Sequence, residues 1–247
     1  REARVGRVPI RHELPSGAGQ ADLKVDGLRF GAAIQPDDLT PLALGVIANV
    51  DGPVTGDGQI RWTGTDVTST GVFTVKDMAF AAAFGPVSGF STTIRFADLL
   101  GLRTEPNQVM TVGSVNPGID VRDGEIRYAI LSKDQARIEG GRWPFSGGTL
   151  ELLPSTLDLD AKKARALTFR VVGLEAGAFI NTLELDNISA TGTFDGLLPM
   201  IFDEHGGRIE GGLLIARQVG NPPLVLNRAS DVNVLCDPLR QAGGLAY

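Results

Sequence analysis

The sequence predicts an all-β protein, a long and mostly antiparallel curled sheet with one or two short helices. Apolar and polar residues alternate with a period of two along most of the chain, which is typical of strands that bury one face. The dipeptide Asp-Gly recurs at 26–27, 51–52, 57–58, 123–124 and 195–196. Asp-Gly between alternating segments predicts tight hairpin turns, because both central residues of the favoured turn need positive φ. There are also 32 glycines, so the chain is expected to run from strand to turn to strand.

The predicted elements begin after a joining segment. Residues 1–20 have no clear period and include PSGAGQ, so the β domain is expected to span 21–217. In EIRYAIL, Ile126, Tyr128 and Ile130 alternate with polar or small neighbours, as expected for a strand. Other strands with this alternation are predicted at 21–31, 42–50, 59–64, 67–75, 78–84, 88–96 and 166–174.

Two segments depart from the strand period. FADLLGL at 96–102 is predicted to form one or two helical turns. LEAGAFINTLEL at 174–185 places Leu174, Ala178 and Leu183 near one helical stripe. A glycine before it and a glutamate in its first turn favour a short amphipathic helix. We expect this helix to cover part of a sheet face or an open end.

The stretch 191–217 is predicted to contain strands separated by turns. One strand ends at Phe194, Asp195-Gly196 forms a turn, and the next strand contains Pro199, which favours an edge or a bulge. After a second turn at DEHGG, RIEGGLLIAR is predicted to form one strand. Ile209, Leu213 and Ile215 would then share one face of that strand.

Composition and motifs argue against most chemical functions. The net charge is −6, and the basic residues are scattered, whereas a nucleic-acid partner requires a clustered basic face. We expect no nucleic-acid binding, no cofactor and no metal. Asp203, Glu204 and His205 form one candidate cluster, but a solvated hairpin tip explains them better than a metal or acid–base site. We therefore expect that the chain is not an enzyme.

The abundant apolar strand surface has two explanations. It forms either the core of a closed β-sandwich or the lining of a curled sheet that stays open to a lipid. An exposed apolar lining is unusual in soluble proteins and implies a ligand or partner. Composition does not separate the two.

Five segments are informative by their order and spacing, namely VSGFSTTIRFADLLGLRT (87–104), VNPGIDVRDGEIRY (115–128), GGRWPFSGGTLELLP (140–154), FRVVGLEAGAFINTLELDNISATGTFDGLLPMIFD (169–203) and GGRIEGGLLIAR (206–217). Together they resemble the C-terminal part of the YdbH family of bacterial envelope proteins, which are relatives of TamB and the AsmA-like group. The last 30 residues, 218–247, do not fit this resemblance and are expected to be a divergent tail. We expect the chain to be a piece of a longer protein.

This resemblance implies a sheet that forms a hydrophobic groove and moves phospholipids across the periplasm. The full-length protein would be anchored in the inner membrane by a helix absent from this piece, with the two membranes or their proteins as partners at its ends. The alternative is a structural or assembly module that binds protein partners through its sheet edges. The groove lining is predicted to come from Ile126, Tyr128, Ile130, Phe169, Val171, Phe194, Met200, Phe202, Ile209, Leu213 and Ile215.

Overall fold

The fold is one open antiparallel sheet with two short helices, as the sequence predicts. In the computed structural model, the described residues are 6–39, 47–82, 85–116, 119–160, 163–183, 189–203 and 206–217. The strands are β1 Ile10–His12, β2 Gly19–Phe30, β3 Ile47–Thr63, β4 Asp66–Ala82, β5 Gly85–Asp98, β6 Arg103–Thr104, β7 Gln108–Val115, β8 Val121–Ser132, β9 Gln135–Phe145, β10 Gly148–Leu152, β11 Ser155–Asp158, β12 Arg165–Glu175, β13 Thr193–Asp203, β14 Gly206–Ile209 and β15 Leu213–Arg217. The helices are α1 Pro36–Leu39 and α2 Ala176–Thr182.

The strands follow one another across the sheet almost in chain order. The main path is β1-β2-β3-β4-β5-β7-β8-β9-β10-β12-β13-β14, while β6, β11 and β15 pair with β5, β9 and β13. β1 and β2 begin within the predicted joining segment 1–20, and the predicted tail 218–247 lies outside the described residues. Among the described residues, no helix is long and apolar enough to cross a membrane.

The prediction that Asp-Gly marks hairpin turns is wrong at all five positions, because each dipeptide lies inside a strand. Two-residue turns instead occur at Lys133-Asp134 and at Ser146-Gly147. In the second turn, Ser146 and Gly147 have φ values of 44° and 78°. Asp and Gly tolerate positive φ in a bulge as well as in a turn. One residue of the dipeptide has positive φ at 26–27, 51–52 and 123–124, whereas neither residue does at 57–58 and 195–196. The local signal was therefore wrong about chain direction and only partly right about backbone conformation.

Positive-φ residues instead form a line across several strands. They include Gly27 in β2, Asp77 in β4, Gly89 in β5 and Asp123 in β8, with φ of 115°, 51°, 65° and 57°. The pairing register shifts at Gly27 and at Asp77, and again in β3 around Gly52. Bulges bend and twist a strand, so this line bends the sheet across the direction of its strands.

The two predicted helical segments have different outcomes. The helix predicted at 174–185 is confirmed as α2, although Leu174 and Glu175 still belong to β12. The helical turns predicted at 96–102 are wrong, because β5 continues to Asp98 and a turn follows. The Asp98 carboxylate accepts hydrogen bonds from the Gly101 N–H and the Ser69 hydroxyl. Such local side-chain bonds compete with helix formation.

The stretch 191–217 also differs from its prediction. β13 runs without a turn through Asp195-Gly196, and the strand predicted at 208–217 is divided into β14 and β15. Ile209 lies opposite Met200, whereas Leu213 lies opposite Leu197. Met200 and Leu197 are three residues apart in β13 and therefore project to opposite faces. The prediction that Ile209 and Leu213 share a face is wrong, because an extra residue in the break between β14 and β15 reverses the alternation.

Large side chains lie flat over glycines on neighbouring strands. Gly124 is the cross-strand neighbour of Trp143, and a Cβ atom placed on it would lie 1.8 Å from Trp143 Nε1. A Cβ on Gly19 would lie 2.1 Å from Trp62, its direct partner. Phe73 and Leu214 lie in the same way over Gly56 and Gly196. These glycines let bulky side chains cover the backbone of the next strand.

A bulge in β12 is held by a charged side chain of β13. The Asp195 carboxylate accepts the Gly173 N–H at 2.8 Å and two Arg217 hydrogen bonds at 2.5 and 2.7 Å. The register shift between Val171 and Leu174 takes the Gly173 N–H out of the hydrogen-bond ladder between β12 and β13. The Asp195 carboxylate accepts that N–H instead. Hydrogen bonds from Arg217, and then from Gly173, lower the pKa of Asp195.

We predict that Gly124→Ala will destabilise the fold by about 1–3 kcal/mol, the usual cost of overpacking. The new Cβ would overlap the Trp143 indole, which would have to leave its position over the strand. Urea unfolding of wild type and variant measures the change. Gly31→Ala is the control, since a Cβ there meets its nearest atom at 4.0 Å. An equal effect of both substitutions would contradict the packing explanation.

We predict that Asp195→Asn lowers stability at neutral pH by less than about 1 kcal/mol, because the ion pair with Arg217 is exposed. A depressed folded-state pKa contributes stability above the unfolded pKa and loses it as the pH falls. The difference between wild type and variant should therefore shrink as the pH falls below about 4. Urea midpoints across this pH range provide the measurement. A difference that does not change with pH would exclude Asp195 ionisation as the cause.

Candidate functional site

The most extensive feature of the sheet is a row of directly opposite residues that crosses ten strands on one face. We call it the central apolar row, and the face that carries it the apolar face. Directly opposite residues in an antiparallel pair project to the same side of a sheet. Only Thr92 and Gly141 interrupt the apolar side chains. The row consists of Leu28, Val54, Val75, Thr92, Met110, Ile126, Gly141, Leu152, Phe169 and Leu198.

The opposite face, the polar face, carries a matching row of polar and charged residues. Its central part alternates in charge from strand to strand, and Arg170 Nη1 lies 3.6 Å from Glu151 Oε2. Opposite charges across strands stabilise one register over its alternatives. At one end the row becomes apolar, with exposed Leu197 and Leu213. The row consists of Ser91, Thr111, Glu125, Arg142, Glu151, Arg170, Leu197 and Leu213.

Side chains of the apolar face are buried or half-buried although the described residues contain no second sheet to cover them. Trp143 and Val171 are only 4% and 1% exposed. One buried cluster is centred on Tyr128, Ile138 and Trp143, and a second comprises Leu28, Phe30, Val50 and Met78. Side chains of a single sheet bury one another in this way when the sheet curls toward them. The apolar face is therefore concave.

Several polar side chains on the apolar face are hydrogen-bonded within it, whereas the buried Trp143 Nε1 has no hydrogen-bond partner among the described residues. The Thr92 hydroxyl donates to the Val109 carbonyl at 2.8 Å and lies 3.3 Å from the Tyr128 hydroxyl. The Gln108 side chain accepts from the Arg95 N–H and donates to the Glu105 carbonyl. Burial raises the pKa of Tyr128, so its phenol is neutral at physiological pH. These groups therefore add no charge to the apolar face.

The structure places nine of the eleven predicted lining residues on the apolar face and two on the polar face. Leu213 and Ile215 lie opposite Leu197 and Asp195, so they belong to the polar face, and Leu214 takes the place predicted for them. The break between β14 and β15 causes this exchange. The nine residues on the apolar face are Ile126, Tyr128, Ile130, Phe169, Val171, Phe194, Met200, Phe202 and Ile209.

The N-terminal half of the apolar face was not predicted from the sequence. Val54, Val75 and Met110 extend the central row into β3, β4 and β7. Alternation was visible in these segments, but the bulges beside them change which residues share a face. Trp143 and Leu152, both 4–5% exposed, were also missed. Their cross-strand neighbours Gly141 and Gly124 become visible only once the register of the sheet is known.

The charged clusters do not resemble a catalytic or metal site. Asp203 forms an ion pair with Arg208, which also contacts Glu210 at 2.8 Å. Glu204 and His205, the other members of the predicted cluster, lie outside the described residues. Among the described side chains, no group of three His, Cys, Asp or Glu residues could hold a metal ion.

A concavity at the N-terminal end of the sheet also has little chemical character. It has a volume of about 770 Å³ and is lined largely by side chains of the polar face, including Asp22, Gln59 and Arg95. Gln59 Nε2 donates to Asp22 Oδ1 at 2.9 Å, so its polar groups bond to one another. The apolar face is much longer than this concavity and is the better candidate for a ligand surface.

Comparison with known proteins identifies one family. A family model described as YdbH-like, intermembrane phospholipid transport protein YdbH, matches residues 2–230. No curated protein and no solved structure matches the chain.

Proposed function

Because the chain belongs to the YdbH-like family of intermembrane phospholipid transport proteins, we propose that its apolar face carries phospholipid acyl chains between the inner and outer membrane. The observation that supports this proposal is the central apolar row, which continues across ten strands. A closed enzyme pocket would concentrate polar groups at one place. This face instead presents similar apolar groups from strand to strand.

The free energy of moving an acyl chain through water explains why such a row is useful. Each exposed CH₂ group costs about 0.8 kcal/mol in water. Ten neighbouring strands spaced about 4.8 Å apart extend over roughly 43 Å. A lipid that moves along this row exchanges one apolar neighbour for another, such as Val75 for Met110, at nearly constant free energy. Movement then requires no strong binding at any one strand.

The polar face suits a protein segment surrounded by water. Its alternating Glu and Arg residues remain hydrated while the apolar face holds the acyl chains. We infer a position in the periplasm for this segment, in a protein that is anchored in the inner membrane. The two membranes, or proteins in them, would meet the ends of the full-length protein.

An assembly module remains the rival function. β1 and β14 lie at the two ends of the strand path, and strand edges with unpaired backbone groups bind extended peptides. This function would need protein partners and would leave the apolar face without lipid. Native mass spectrometry of the purified chain, with organic extraction as a check, distinguishes the two. We expect bound phospholipid, and a stable lipid-free protein would favour the rival.

We predict that Phe194→Asp and Ile126→Asp will each reduce bound phospholipid and vesicle-to-vesicle lipid transfer severalfold. Both residues are half-buried on the apolar face. A carboxylate there would have to lose its hydration when an acyl chain covers it, which is unfavourable. Transfer of a fluorescent phosphatidylethanolamine between vesicles measures the rate, and urea unfolding checks that each variant is folded.

The matched controls are Leu213→Asp and Val109→Asp. Both residues are on the polar face, 37% and 43% exposed, and lie in strands next to the test residues. We expect them to retain transfer. If a test variant unfolds, Phe194→Gln replaces it. Equal loss in folded test and control variants would argue against the apolar face as the lipid path.

A further inference from the structure

The connection between β12 and β13 contains more chain than the hairpin needs. The last residue of β12, Glu175, is paired directly with the first residue of β13, Thr193. Residues 176–192 nevertheless lie between them, whereas β8–β9 and β9–β10 are joined by two-residue turns. Long connections in compact folds usually carry a function of their own. This one contains α2.

α2 packs on the apolar face. The Phe179 ring meets the Phe145 ring edge-on, with centroids 5.9 Å apart. Phe145 itself packs against the buried cluster around Trp143. On the helix, Ala176 and Ile180 are only 7% and 5% exposed. The helix therefore occupies part of the surface that would otherwise meet an acyl chain.

Among the described residues, few interactions besides this packing hold α2 in place. The helix has seven residues, and its N-cap residue Glu175 makes no side-chain capping bond. The Ala176 N–H donates to the Gly192 carbonyl at 3.0 Å. Helices this short do not persist in water without packing contacts. An acyl chain offers the apolar face the same kind of contact that α2 provides.

We propose that α2 is a built-in competitor of the lipid, a movable cover that occupies the apolar face beside β9 and β12 until an acyl chain displaces it. This inference rests on the proposed function. Displacement exchanges one apolar contact for another, so an arriving lipid replaces most of the contacts that the helix gives up. After the lipid has passed, α2 returns and keeps water from this part of the face.

The first test fixes α2 to β9 by a covalent cross-link. In a Cys236→Ser background, Phe145→Cys and Phe179→Cys are joined by a short bifunctional thiol reagent. We expect vesicle-to-vesicle transfer of fluorescent phosphatidylethanolamine to fall severalfold after cross-linking and to remain high before it. The control pair, Arg142→Cys with Glu151→Cys, links two adjacent strands on the polar face. Cross-linking this pair should leave transfer unchanged.

The second test loosens α2. Ile180→Ser removes a buried apolar contact of the helix, and we expect this variant to bind lipid faster than wild type. If the cross-linked protein still binds lipid and its transfer rate is unchanged, the competitor role of α2 is wrong and the proposed function stands. Absence of lipid from every variant, including wild type, would overturn both.

Discussion

The structure depends on the hydrogen-bonded register of one sheet. Register decides which residue of each strand lies opposite which residue of the next, and a slip by one residue would move every apolar side chain to the other face. The central row from Leu28 to Leu198 exists only because ten strands keep their register together. The alternating charges from Glu125 to Arg170 on the polar face favour the same register. Both faces thus specify one arrangement.

A single sheet must also bury its apolar face without a second layer. Two features of the described residues achieve this. The line of positive-φ residues through Gly27, Asp77 and Asp123 bends the strands, and the bend brings side chains of the apolar face together. Glycines such as Gly124 then let large side chains lie flat along the neighbouring strand. The result is a face that is well packed yet remains a continuous surface.

Much of the fold was predictable from sequence, because period-2 alternation is a local property of a strand. The all-β class, the antiparallel order, α2 and the shared face of nine of the eleven predicted lining residues followed from it or from the family resemblance. The turns were not predictable in the same way. Asp123 and Ser146 both adopt positive φ, yet only Ser146 lies in a turn, and the difference depends on the hydrogen bonds of neighbouring strands. The positions of Leu213 and Ile215 depend on the extra residue between β14 and β15, which no alternation pattern reveals.

Lipid transport and stability make different demands on the same apolar surface. A tightly covered core would give the greater stability, whereas a lipid path needs contacts that can be exchanged. Most of the predicted lining residues, including Ile126, Phe169 and Phe194, are half-buried and not fully buried. Under the proposed function, each would offer a lipid only part of its area, so that binding at one strand would be weak and its sum over many strands large. A short helix such as α2 would fit this design, since it covers apolar surface with contacts that a passing acyl chain would replace in kind.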